Sequence, residues 1–152
     1  SPLCMGIAHQ DAHVFFVADG THSHVVRYDF QEPHVPGGDD HSDGRVSRYP
    51  ELTFTRVPDV PSHMQVVGDK LFYIDTGAGA LKVADLTTGE PTEDLIPDNE
   101  PLELFNLIEG VEQRALVDGL DRPSGLLVTV ERIFISFARS GEIVALTYHK
   151  RP

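Results

Sequence analysis

The sequence contains a repeated segment, and this repeat limits the possible folds more than any single motif does. Residues 61–85 align without a gap with residues 123–147, and a third copy covers residues 5–30, where residues 15–19 fall on residues 71–75. Several residues are identical in the two gapless copies: Pro61 and Pro123, Ser62 and Ser124, Val66 and Val128, Phe72 and Phe134, Gly79 and Gly141. Repetition on this scale indicates an array of similar supersecondary units.

Each copy predicts three short strands. A short apolar run follows a proline or glycine, a turn leads to a second run rich in aromatic and β-branched residues, and a glycine-bearing turn leads to a third run. Such residues suit a pleated surface that is buried on both faces. The one modest helix candidate, residues 101–107, is too short to stand alone. The predicted fold class is therefore all-β.

The spacing of the copies predicts the blades of a β-propeller. The equivalent residues Phe15, Leu71 and Ile133 lie 56 and 62 positions apart, and repeats of about 40–50 residues with three or four strands are typical of propellers. The surplus lies in two polar insertions that start at residues 31 and 86. The three blades are predicted at residues 4–57, 60–118 and 121–150. A β-sandwich of some other kind is the alternative.

The third blade is predicted to be incomplete, and so is the propeller. Outer fourth strands are predicted at residues 52–57 and 111–117, whereas the third blade has none. Known propellers need at least four blades to close, and an open stack would expose apolar faces and sheet edges. We therefore expect residues 1–152 to be part of a larger ring of six blades, or to be completed by a protein partner.

Charge and composition exclude some classes of protein. Twelve Lys and Arg residues against 24 Asp and Glu residues give a formal net charge of −12, which argues against a nucleic-acid surface. No run of about 18 apolar residues predicts a membrane span. Cys4 is the only cysteine, so no intrachain disulfide is expected. Because the sequence starts with Ser1, we expect a removed leader or a longer parent chain, and a secreted or periplasmic location.

The repeat resembles the NHL type of propeller repeat. The resemblance rests on the sequences PSGL at residues 123–126, IFIS at 133–136, SGEIVA at 140–145 and FFVADG at 15–20. It covers about half of the chain, and its motifs are short. The resemblance implies a propeller that is six-bladed, as NHL-like propellers usually are.

A more distant resemblance connects the chain to the propellers of peptidyl-hydroxyglycine α-amidating lyases. It rests on residues 15–20 and on the PSHM sequence at residues 61–64. In that family, histidines that open several inner strands converge on a central zinc. His63 occupies such a position, which implies a metal ligand or general base facing the channel. The equivalent positions in the other two copies are Gly6 and Gly125.

A polar segment between the first and second copies is a candidate cation site. Imidazole nitrogens suit zinc and carboxylates suit calcium, and the glycines nearby allow tight folding of the backbone. The spacing matches no EF-hand loop, and a solvated loop rich in turn-forming residues is the alternative. The candidate ligands are His34, Asp39, Asp40, His41 and Asp43.

The remaining polar residues of the repeats are interpreted as parts of turns. Asp19 and Asp75 occupy one repeat position before a turn, where a carboxylate can accept hydrogen bonds from backbone amides. His22 and His24 are interpreted as a surface turn, with zinc or copper binding as the alternative. No phosphate-binding loop, nucleophile elbow or Cys-x-x-Cys motif is present.

Two functions follow from these patterns. The first is a non-catalytic scaffold for binding or assembly, in which the loop of residues 34–43 can hold a divalent cation such as calcium or zinc. The alternative is a metal-dependent lyase or hydrolase that uses His63 together with that loop. Catalytic zinc needs three protein ligands, and one histidine at the inner-strand openings supplies too few. We therefore favour the scaffold and expect less than stoichiometric zinc in the purified protein.

Overall fold

The structure is a computed structural model that describes residues 3–32, 40–97 and 101–147. The all-β prediction is confirmed, because every regular element among these residues is a strand. The described residues therefore contain no helix that is long and apolar enough to cross a membrane. The strands are β1 (Cys4–Asp11), β2 (Val14–Asp19), β3 (His24–Asp29), β4 (Arg45–Thr53), β5 (Met64–Val67), β6 (Lys70–Asp75), β7 (Ala80–Asp85), β8 (Glu90–Asp94), β9 (Leu104–Glu109), β10 (Gln113–Val117), β11 (Pro123–Val128), β12 (Arg132–Phe137) and β13 (Ile143–Thr147).

These strands form three sheets, one around each copy of the repeat. The first sheet has the order β1-β2-β3-β4-β9-β8, the second β10-β7-β6-β5, and the third β11-β12-β13. Each sheet contains an antiparallel meander of the three strands that one copy predicts. The pairing of β4 with β9 is parallel. The third sheet has no fourth strand among the described residues.

The structure corrects two expectations outside the repeats. The outer strand of the first sheet was expected at residues 52–57 but is β4, which begins at Arg45. The helix candidate at residues 101–107 is wrong, because most of it belongs to strand β9. Strand β9 pairs with β8 and β4, so these two strands, β8 and β9, extend the first sheet although they follow the second copy in the chain. The expected strand at residues 111–117 is confirmed as β10.

The second sheet lies between the other two and packs on both. Alternate side chains of β6 point to opposite faces, as the two-residue period of a strand requires. Leu71 and Tyr73 belong to the core shared with Phe16 of the first sheet. Ile74 belongs to a separate core, which contains Ile135 of the third sheet. The molecule therefore has two hydrophobic cores, one between each pair of neighbouring sheets.

Three strands meet at one edge of this stack. The amide of Ser62, just before β5, donates a hydrogen bond to the carbonyl of Met5 in β1 at 2.7 Å, and the amide of His63 donates one to the carbonyl of Ser124 in β11 at 3.0 Å. The approach of β1 is so close that a Cβ added at Gly6 would lie 2.1 Å from the Ser62 carbonyl oxygen. The openings of β1, β5 and β11 are thus adjacent.

Candidate functional site

His63 lies where the three inner strands meet. Its backbone connects two sheets, because its amide bonds to Ser124 and its carbonyl accepts a hydrogen bond from Ile74 at 2.9 Å. Its side chain is exposed, and its Nδ1 would lie 3.9 Å from a Cβ added at Gly125. The equivalent openings carry glycine, so His63 supplies the only side chain at these three repeat positions. A ligand at this edge would meet one imidazole and several backbone groups.

The described part of the candidate cation loop follows turn geometry. Asp40 accepts a hydrogen bond from the amide of Ser42 at 3.0 Å, and the carbonyl of His41 accepts one from Gly44 at 2.8 Å. The ring of His41 packs edge-on against Phe30, with 6.1 Å between the centroids. Two of the five predicted ligands, His34 and Asp39, lie outside the described residues. The candidate ligands Asp40, His41 and Asp43 lie in the described part of the loop.

The structure does not bring His63 together with the described part of this loop, residues 40–43. His41 contacts Phe30, which follows the end of β3 that pairs with Val14. His63 lies beside the opening of β1, the end that pairs with Asp19. Five residues of β2 separate these ends, which is about 17 Å at a rise of about 3.3 Å per residue. Among the described residues, no three His, Cys, Asp or Glu side chains are placed to hold a metal ion.

A small polar cluster occupies the turn between β2 and β3. Asp19 accepts hydrogen bonds from the amide of Thr21 at 2.9 Å and contacts Nδ1 of His22 at 2.6 Å. The rings of His22 and His24 lie 5.5 Å apart, and Nε2 of His24 is buried without a hydrogen-bond partner. Burial, followed by the charges of Arg48 and His22, lowers the pKa of His24. This arrangement favours a neutral imidazole at His24.

The equivalent aspartate of the second sheet ties two sheets together. Asp75 is buried and accepts hydrogen bonds from the amides of Thr55 and Ala78 at 2.8 and 3.0 Å, so its predicted bonding to turn amides is confirmed. Its other oxygen accepts one from Nζ of Lys82 at 2.8 Å. Sequence analysis missed Lys82, although a single lysine within the apolar run of β7 was the available signal.

The outward face of the first sheet carries an apolar surface that no other described part of the chain covers. It carries a shallow depression of about 320 Å³ without charged side chains. Ile7, which lies in the edge strand β1 and lines the depression, is 60% exposed. We call this surface the leading face, and its lining residues are Cys4, Ile7, Phe15, Val17, Tyr28 and Phe30.

The outward face of the third sheet is also apolar, and none of the residues that the structure describes covers it. Leu127, Phe134 and Ala145 lie side by side across its three strands, as their pairing shows. Leu127 is 53% exposed, and Ile143, which shares this face, is 71% exposed. We call this surface, formed by these four residues, the trailing face. The two ends of the stack therefore present apolar surfaces to solvent.

A groove separates the outer parts of the second and third sheets. Its volume is about 1030 Å³. It opens beside β13, next to which the structure describes no further strand up to residue 147, whereas β10 occupies that place in the second sheet. Its lining is apolar inside and charged at the rim, and includes Phe72, Leu116, Ile133, Leu146, Lys70 and Arg114.

Comparisons with known proteins found no match. No family model matches the chain, and no curated protein or solved structure matches it either. The features that indicate function are the packing of the sheets and the positions of the polar residues.

Proposed function

We propose that the chain is a set of three NHL-like propeller blades, part of a six-bladed ring, that serves as a scaffold for binding and assembly. The observation that supports this most strongly is the stacking of three similar sheets whose inner strands meet at one edge. The amides of Ser62 and His63 bond to the first and third sheets respectively. Repeated sheets that pack face to face around such an edge are the arrangement of propeller blades.

The two uncovered faces support a role in assembly. A soluble monomer rarely exposes large contiguous apolar patches, and such patches mark interaction surfaces. Apart from Phe30, which follows β3, the residues of the leading and the trailing face lie in strands, and most of their side chains are apolar. Binding through these faces would continue the packing that already joins the three sheets.

The alternative, a metal-dependent lyase or hydrolase, has less support. That function was expected to combine His63 with the loop of residues 34–43. The support is weaker because the described part of that loop, at His41, lies near the end of the first sheet opposite to His63. A calcium or zinc ion held by the loop alone stays a prediction.

Metal analysis of the purified protein separates scaffold from enzyme. We expect less than one zinc per chain after equilibration with zinc and removal of the excess. Replacing His63→Ala should leave the zinc content unchanged, as should the control His9→Ala, whose Nε2 lies 3.1 Å from the carbonyl of Ala12. Stoichiometric zinc that is lost in His63→Ala and kept in His9→Ala would overturn the scaffold proposal.

A further inference from the structure

We infer that the leading face of one chain binds the trailing face of a second copy, so that two chains close a six-sheet ring. This inference rests on the proposed propeller scaffold and names the partner of its uncovered faces. It follows from three observations: which neighbouring sheet each strand position faces, which repeat positions form the leading and trailing faces, and how much surface the whole chain exposes.

The middle sheet shows how neighbouring sheets pack on each other. In β6, Leu71 and Tyr73 face the preceding sheet and belong to its core. The intervening Phe72 and Ile74 face the following sheet. Each sheet of the repeat thus has one face for the sheet before it and another for the sheet after it.

The uncovered faces are of these two different kinds. Phe15 and Val17 of the leading face are the repeat equivalents of Leu71 and Tyr73, which pack on a preceding sheet. Phe134 of the trailing face is the equivalent of Phe72, which packs on a following sheet. The leading face therefore lacks a preceding sheet, and the trailing face lacks a following one.

A second copy supplies both missing neighbours at once. Three sheets cannot close on themselves, since known propellers have at least four blades. Every chain carries one face of each kind, so two chains form two identical head-to-tail junctions. A head-to-tail contact closes when its rotation completes a ring, and six sheets match the expected number of blades.

The exposed area fits such an assembly. The chain exposes 8971 Å² at a mass of 16.8 kDa, whereas a compact monomer of that mass exposes about 7,700 Å². The excess is about 1,300 Å². Two chains that each buried this excess in two junctions would bury about 1,300 Å² per junction, which exceeds the roughly 1,000 Å² of a specific interface.

The mass of the assembled protein tests the inference. Light scattering during gel filtration, over a range of protein concentrations, should give twice 16.8 kDa. Ile7→Lys on the leading face and Leu127→Glu on the trailing face should each give a monomer, because a charge buried in an apolar junction is costly. Both residues are more than half exposed in the single chain, so their replacement leaves its folding intact.

A matched control and a mixing experiment make the test specific. Val130→Glu adds the same charge at a residue that is 90% exposed and lies in the turn between β11 and β12, so it should remain a dimer. Mixing Ile7→Lys with Leu127→Glu should restore the dimer. In the mixed pair one junction is unaltered, and the other places the two opposite charges together.

Three results would overturn the two-chain ring. They are a folded wild-type chain that stays monomeric at all concentrations, a wild-type chain that is covered only by a different protein, and charge variants that dimerise as the wild type does. Circular dichroism confirms that each variant is folded. The mass tests the ring whereas zinc content tests the scaffold, so the two proposals can fail separately.

Discussion

The second and third sheets are built from the same repeat but differ in how many of their faces are covered. Leu81 and Ile143 occupy equivalent positions in the last strand of the meander. Leu81 is fully buried between two sheets, whereas Ile143 is 71% exposed on the trailing face. An apolar side chain at this strand position is therefore buried only where a neighbouring sheet covers it.

The turns after the middle strands of the second and third sheets also differ in how they contact neighbouring parts of the chain. In the second sheet, Asp75 connects its turn to Thr55, in the segment that arrives from the first sheet. The equivalent Phe137 of the third sheet has no carboxylate: its backbone bonds to Glu142 and Gly141 of its own turn, and its side chain packs against the core that the third sheet shares with the second. The middle sheet is therefore tied to its neighbour by a buried carboxylate, and the third sheet is not.

The largest effect is expected when this buried carboxylate is removed. Asp75→Ala removes the carboxylate partner of the Lys82 ammonium, whose side chain is 21% exposed, and leaves only its hydrogen bond to the carbonyl of Thr53. Breaking a buried ion pair typically costs about 3–5 kcal/mol, which urea unfolding can measure. The control Asp121→Ala removes an ion pair with Arg139 that is about 70% exposed, and it should cost at most about 1 kcal/mol. Similar costs for both variants would contradict the contrast between the sheets.

A second pair of variants compares equivalent core positions. Leu81→Ala should lower the free energy of unfolding by about 2–5 kcal/mol, because it leaves a cavity between two sheets. Ile143→Ala should change it by no more than about 0.5 kcal/mol in dilute protein, where the trailing face is exposed. Urea unfolding at low protein concentration provides both values. Equal losses would show that the trailing face is covered within the single chain.

A third pair tests how closely the sheets approach at their inner edge. Gly6→Ala would place a Cβ 2.1 Å from the backbone oxygen of Ser62, which cannot move without separating two sheets. We expect a loss of about 1–3 kcal/mol, as for overpacking in a core. At Gly125 the nearest atom is Oγ of Ser136 at 2.3 Å, within the third sheet, and a side chain can rotate away. Gly125→Ala should therefore cost less, and the reverse order would disprove the close junction.

The smallest effect concerns acid, which should act on the first sheet rather than the third. The pKa of His24 is lowered in the folded chain, so the unfolded chain binds a proton more readily. Stability is thus fully present above about pH 6.5 and falls as the pH decreases toward the lowered pKa. His24→Gln should reduce this loss in thermal unfolding between pH 7.5 and 5, whereas the exposed control His9→Gln should not. An unchanged loss in His24→Gln would argue against a neutral buried imidazole.

The sequence predicted the parts of the fold that depend on neighbouring residues. The three meanders follow from alternating apolar runs and glycine-bearing turns, both of which are local signals. It did not predict strands β8 and β9, because their place depends on the parallel pairing of β9 with the distant β4. The ion pair of Lys82 with Asp75 was also missed, because it depends on the pairing of β6 with β7, which brings the two side chains together.

The candidate site was predicted only as a set of residue types. The sequence showed that His63 and the loop of residues 34–43 carry metal-binding groups. It did not show that His63 and the described residue His41 lie at opposite ends of the first sheet, since this follows from the direction in which β1, β2 and β3 run. Nor could it distinguish the leading and trailing faces from covered ones, because the same apolar pattern serves both.

The most direct test of the account compares thiol reactivity at the two equivalent positions Leu81 and Ile143. Each is replaced by cysteine in a Cys4→Ser background, because Cys4 is itself exposed. In dilute folded protein, a maleimide should modify Ile143→Cys at the rate of a free thiol. It should modify Leu81→Cys at least about a hundredfold more slowly, since that reaction requires local opening of the sheets. Equal rates would contradict the claim that one sheet is enclosed and the other carries an uncovered face.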